Sequence, residues 1–393
     1  MSRFRNILGN RNFSLLWVGQ IISQFGDRLN QMALIALIYN FAPGSTVQMA
    51  KLMSFTIIPV FLIGPIAGVY VDRWDRRRTM VVCDILRGIL VLLIPFYFIR
   101  LNSLLPIYII VFLVFSIGRF YVPAKMSIIP DLVRSDELLL ANSLVNTTGM
   151  VAAMFGLGLG GILVGMVGAE GGFLIDGASF LISGIMIFFL STRAIRDLKR
   201  ERLIDVGREI AEVIRKSAID EMKEALIFLK SQKQIRSCFG ILFLLWAALG
   251  SVYVVSIVFV QEAFSSVTKE IGFLVVALGL GLFLGTLAYG RFGHKSSGFK
   301  TVFACILLAG MVLFLFVFAV LKIPNILIAL MLAFILGLVV SPVMVISNTM
   351  VQQFTDNSMR GKVFSSLEIV VHLAFLLAML ISASLADRLG SVE

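Results

Sequence analysis

Apolar residues run along this chain in blocks long enough to cross a lipid bilayer, separated by short polar breaks. The blocks fall at roughly 14–41, 47–71, 79–99, 104–129, 138–167 and 171–192, then at 238–262, 271–291, 300–321, 324–349 and 363–385. A membrane helix needs about 20 mostly apolar residues, so the pattern predicts eleven spans. The interval 193–236 is the long charged stretch, and it divides six spans from five. Within it Ile210, Val213, Ile214, Ile219, Met222, Ala225, Leu226 and Leu229 recur at near-helical spacing. That spacing fits an amphipathic helix lying on the membrane face, or a solvated linker helix. The expected architecture is therefore an all-α polytopic membrane protein. A transmembrane bundle over 1–192 and a second over 237–393 flank a basic linker over 193–236.

Composition agrees. Hydrophobic residues make up 59% of the 393, charged residues 15%, and the mean hydropathy is +0.98. A soluble domain has about 45–50% apolar and about 25% charged residues. The net charge of +11 would suggest nucleic acid if it lay on one soluble surface. It does not. With a cytoplasmic N-terminus, 26 of the 34 lysines and arginines fall in cytoplasmic segments. Only Lys51, Arg100, Lys269, Lys322 and Arg388 fall opposite, and Arg28, Arg87 and Arg119 lie within spans. This is the positive-inside asymmetry, so no nucleic-acid partner is expected. Cys83, Cys238 and Cys305 sit in apolar runs and imply no disulfide framework. Arg3, Arg5 and Arg11 surround pieces too short for a signal-peptide core, so the first span is expected to stay in the mature protein. His294 and His372 are the only histidines, and no phosphate-cradling loop occurs. An enzyme, a cofactor and a bound metal are not expected.

Between the second and third spans the chain reads Gly68-Val69-Tyr70-Val71-Asp72-Arg73-Trp74-Asp75-Arg76-Arg77-Arg78. This resembles the cytoplasmic signature of the major facilitator superfamily. Gly68 lets two helices approach, and Asp72 at a membrane edge can pair with an arginine and face a helix N-terminus. Such a lock, built from Gly68, Asp72, Arg73, Arg76 and Arg77, would hold two halves together and break as the carrier rocks. Further stretches, Gly19 to Asp27, Arg119 to Lys125, Ile129 to Val133, Leu139 to Asn142 and Gln352 to Phe364, resemble the macrolide-efflux and enterobactin-exporter branch of bacterial major facilitators. Pro123-Ala124-Lys125 and Phe25-Gly26-Asp27 are also similar to the lysophospholipid transporters. The resemblance implies a twelve-helix fold, alternating access, usually proton-driven export, and a multi-pass protein of the bacterial inner membrane. Ala386 to Gly390 resembles the turn before the family's last span, so a longer parent protein with a twelfth helix is expected. Two positions depart from the family's antiporters: Gly156-Leu157-Gly158-Leu159-Gly160-Gly161 has leucine where proline is usual, and Arg119 is followed by Pro123 where glycine is usual. In the second-half echo of the cytoplasmic signature, Gly290-Arg291 stands where the first half has Asp72-Arg73.

Polar residues inside spans cost about 2.5–3.5 kcal/mol each when charged, so each invites a role. Gln20, Gln24, Asp27 and Gln31 lie 4, 3 and 4 apart, on one helix face, with Asn30 beside them. In the family this first helix lines the cavity, as do the fourth, seventh and tenth. Asp27, Arg119, Asn30, Gln24 and Gln31 are therefore the proton-coupling or substrate candidates, with Arg119 either the partner of Asp27 or the ligand of an anionic group on substrate or lipid. Arg28 points about 100° away and is expected to anchor a neighbouring helix. Asp84 and Arg87 read as a scaffold pair on an outer helix, and Asp176 as peripheral. Glu368 with His372, Asn142, Asn146 and Trp246 are secondary candidates, alongside Phe243, Tyr253 and Phe259. The expected function is secondary export of amphipathic or hydrophobic compounds, drug-like molecules or siderophores, by a monomer in contact with membrane lipids. Movement of lysolipid between leaflets is the alternative, and a non-transporting scaffold or sensor the alternative of another class.

Overall fold

The computed structural model describes residues 7–71, 74–101, 103–191, 233–292, 298–354 and 360–389. The amphipathic helix expected in the linker lies outside the described residues, as do Asp72 and Arg73. Among the described residues all regular structure is helical: α1 (Arg11–Phe41), α2 (Thr46–Leu62), α3 (Gly64–Val71), α4 (Arg76–Leu101), α5 (Leu105–Leu132), α6 (Leu138–Phe188), α7 (Lys233–Phe264), α8 (Lys269–Phe292), α9 (Gly298–Lys322), α10 (Ile326–Phe354) and α11 (Arg360–Leu389).

Each predicted span coincides with helix. The second is divided into α2 and α3, and Pro59 inside α2 removes a backbone donor one turn before the break. The fifth and sixth run together as α6, whose 51 residues would extend about 75 Å as one straight helix, far more than a bilayer core. Gly168 breaks it, with φ 76 and ψ 174, a backbone conformation essentially restricted to glycine. By length and composition eight of the described helices can cross a membrane. Large apolar side chains such as Phe96, Phe303 and Met331 stay exposed, as a lipid-facing surface requires.

The described residues form two compact units. The first comprises residues 7–34, 51–156 and 166–191, and the second 35–50, 157–165 and 233–389. In the first unit, polar groups close one end. Asn10 caps α1, its Oδ1 accepting from the backbone of Asn12 and Phe13, while its Nδ2 donates to Leu132 O at 2.7 Å. Asn12 exchanges two hydrogen bonds with the backbone of Ser191. In the second unit, α8 and α10 meet backbone to backbone. A Cβ at Gly337 would lie 2.7 Å from Leu282 N, and one at Gly285 would lie 2.8 Å from Leu338 O.

Candidate transport site

Two faces of α1 organise the polar interior of the first unit. Gln20, 1% exposed, donates from Nε2 to Val145 O at 3.3 Å, and Gln24 turns its amide oxygen toward Gly149. Both side chains thus face the first part of α6. The adjacent stripe of Gly19, Ser23, Gly26 and Asn30 faces the second part. A Cβ at Gly19 would lie 3.4 Å from Ser183 Oγ, and one at Gly26 would lie 2.5 Å from Asp176 Oδ1. Glycines here let two helix backbones close on a buried carboxyl.

Asp176 is fully buried, and its neighbours are polar. Ser179 Oγ lies 3.3 Å from its Oδ1, Asn30 lies alongside the carboxyl, and Asp27 is within electrostatic reach. Across the same stretch of α6, α4 contributes an ion pair. Arg87 binds Asp84, and Ser183 Oγ donates to the other Asp84 oxygen at 2.7 Å. Gly88 of α4 and Gly177 of α6 make this approach possible, since a Cβ on Gly88 would sit 3.1 Å from Gly177 O. The Arg87 guanidinium is held between two rings, 4.6 Å from the centre of Tyr121 and 4.2 Å from that of Phe180. Two cation–π contacts in a desolvated place contribute about 2 kcal/mol or more each. They fix the cation where it acts on Asp27, which also feels Arg28 and Lys125.

The acids differ in access. Asp84 and Asp176 are fully buried, whereas Asp27 is half-buried. The cluster therefore consists of one half-buried carboxyl backed by two enclosed ones and one clamped guanidinium.

Arg28, expected to anchor a neighbouring helix, lies against Gly156 of α6, where a Cβ would stand 2.9 Å from Arg28 Cγ, and it also donates to Gln31 Oε1 at 3.4 Å. Arg87, Arg28 and Lys125 are within electrostatic reach of Asp27, and Arg119 is half-buried on α5. Arg76 pairs with Asp131 at 2.8 Å and donates to Ser127 O at 2.8 Å, while Arg77 donates to Phe188 O and lies over the Phe188 ring. Both arginines thus neutralise the carbonyl ends of α5 and α6 inside their own unit. Gly68 lies in α3. Asn142 is half-buried and Asn146 exposed. In the second unit Trp246 stacks on His372 with ring centres 5.9 Å apart, and Tyr253 meets Phe375 at 5.5 Å. The Glu368 side chain lies outside the described residues.

What the sequence did not show is that Asp176, read as peripheral, is fully buried beside the candidate Asn30, and that Arg87 reaches beyond its own helix. A signal was present. Asp176 is followed by Gly177, Ala178 and Ser179, and α1 carries Gly19 and Gly26 seven residues apart, two small-residue stripes that fit one another.

Comparison with known proteins agrees with this architecture. Macrolide efflux protein A of Streptococcus pyogenes is 23% identical over 385 residues, covering 96% of this chain and 90% of that protein. The multidrug efflux pump Tap of Mycolicibacterium fortuitum is 22% identical, covering 88% and 82%. Among solved structures, a bacterial homologue of the iron transporter ferroportin in its inward-facing state superposes with a TM-score of 0.71, at 16% identity, over 95% of this chain and 91% of that one. The profile of the Major Facilitator Superfamily matches residues 16–379. With a polytopic helical fold and a charge cluster built into its interior, the chain belongs to the Major Facilitator Superfamily and is a membrane transporter.

Proposed function

We propose that the protein is a secondary exporter working by alternating access, moving amphipathic or hydrophobic compounds out of the cell in exchange for protons, with Asp27 as the coupling group. The observation that carries this reading is the difference in access within the cluster. Asp27 alone among its three carboxyls is half-buried, so it can exchange a proton with water while Asp84 and Asp176 stay enclosed. Arg87, Arg28 and Lys125 surround it and hold its ionised form in place once the proton has left. Export, rather than uptake, is supported by relatives named for macrolide and multidrug efflux. Under this reading the N-terminus is cytoplasmic and the membrane is the bacterial inner membrane.

The test uses inside-out membrane vesicles, erythromycin as the transported probe and an imposed proton gradient. Asp27→Asn is expected to abolish uphill accumulation while erythromycin exchange across the membrane persists. Wild-type accumulation by Asp27→Asn, with an unchanged response to pH, would remove Asp27 from coupling. Displacement of bound lysophosphatidylcholine instead of erythromycin would move the protein to the lipid-carrying alternative.

A further inference from the structure

At the end of the second unit the chain makes a contact that the transport cluster does not use. Residues 35–50 belong to this unit although α1 begins in the first. Here the turn before α2 is tied to the last turn of α11 by one carboxylate. Asp387 Oδ1 accepts from Thr46 N at 2.8 Å, from Val47 N at 3.3 Å and from the Thr46 hydroxyl, and Oδ2 accepts from Ser45 Oγ at 3.3 Å. The single Thr46 hydroxyl proton has a second acceptor in Ala383 O, 2.8 Å away. Asp387 thus caps a helix that is not its own, meeting both the unpaired amides and the positive end of the helix dipole.

The two sides of this contact are unlike. Thr46 is fully buried, while Asp387 is exposed. If Asp387 withdraws, its carboxylate enters water. Of the α2 amides, Gln48 N is held separately, donating to Ser45 Oγ at 3.3 Å. Gly44 immediately before has φ 76, and a Cβ there would stand 2.8 Å from Glu262 Oε1 at the end of α7. The turn is therefore seated between the ends of α7 and α11.

We infer that Asp387 is a releasable latch, holding the α1–α2 turn while this end of the transport path is shut and letting go when it opens. The inference rests on the alternating-access reading. It adds a second acid with a mechanical duty to Asp27, whose duty is chemical. The side chains on the latch from the packed elements are Ser45 and Thr46 at α2 and Glu262 at α7. Arg388 adjoins it on α11.

The decisive experiment replaces the three native cysteines and introduces the pair Ser45→Cys and Asp387→Cys. Oxidation is expected to stop erythromycin efflux, and reductant to restore it. In parallel, a single cysteine at Ala42 is labelled with a membrane-impermeant maleimide on the side opposite the N-terminus. Asp387→Ala is expected to speed that labelling about tenfold or more, the loss of charged hydrogen bonds expressed as a population shift. Thr46→Val, which keeps the backbone donors, should give a smaller increase. Efflux at the wild-type rate by the cross-linked protein, or unchanged labelling in Asp387→Ala, overturns the latch. Should Asp27→Asn transport normally, proton coupling at that residue falls while both latch measurements retain their meaning. If the wild type does not move erythromycin, the labelling rates alone decide.

Discussion

The two units bury different things. The first encloses Asp84, Arg87 and Asp176 together with Gln20 and Asn30, whereas the buried polar residues described in the second, Thr46, Gln261, Thr268, Ser341 and Ser347, are all uncharged. Close glycine contacts serve both units, at Gly26 and Gly88 in the first, and in the second at Gly337 of α10 against α8, at Gly250 against Phe375, and where a Cβ on Gly161 would stand 2.9 Å from Gly272 Cα. Among the described residues, buried charge is what sets the first unit apart.

The comparison can be broken most severely at Arg87. Arg87→Leu leaves Asp84 and the neighbouring acids without their cation, and breaking a buried pair from one side costs about 3–5 kcal/mol. A large loss of folded protein is expected in detergent, measured as the midpoint of thermal unfolding. The double variant Asp84→Leu with Arg87→Leu should recover much of that loss. Failure of the double variant to recover would mean the cation serves Asp27 and Asp176 more than its own partner.

The second unit should yield to bulk instead. Gly337→Val forces a side chain against the α8 backbone, and overpacking of this kind costs about 1–3 kcal/mol. Gly310→Ala on α9, with open space around it, should change the midpoint by no more than about 0.5 kcal/mol equivalent. Equal effects at the two glycines would contradict the backbone-contact account. A loss smaller than that at Gly337, but larger than that at Gly310, is expected at Tyr253→Leu. It keeps apolar volume but removes the ring contact with Phe375, worth about 0.5–1.5 kcal/mol.

The spans were legible because hydropathy over about 20 residues reports burial in lipid directly, and even the division of α6 at Gly168 shows as the gap between 167 and 171. The polar face of α1 was legible from its spacing of 4, 3 and 4. What spacing does not report is which helix lies opposite. Asp84 and Arg87 form the expected i, i+3 pair, yet the orientation of α4 also turns Arg87 toward Asp27, and periodicity contains no such information. Asp176 was passed over because a single acid in an apolar run gives no period at all. Its importance depends on Gly26 of another helix, 150 residues away.

The staple formed by Asn10 and Asn12 bears on the order in which a ribosome could deliver this protein. Its partners are Leu132 and Ser191, so the first unit can fasten itself as soon as its sixth span has emerged, before any residue of α7 exists. Residues 35–50 and 157–165 also hold groups whose hydrogen-bond partners come later in the chain, among them Thr268 and Asp387. A membrane chaperone, or the translocon itself, would have those groups to shield until the later residues emerge.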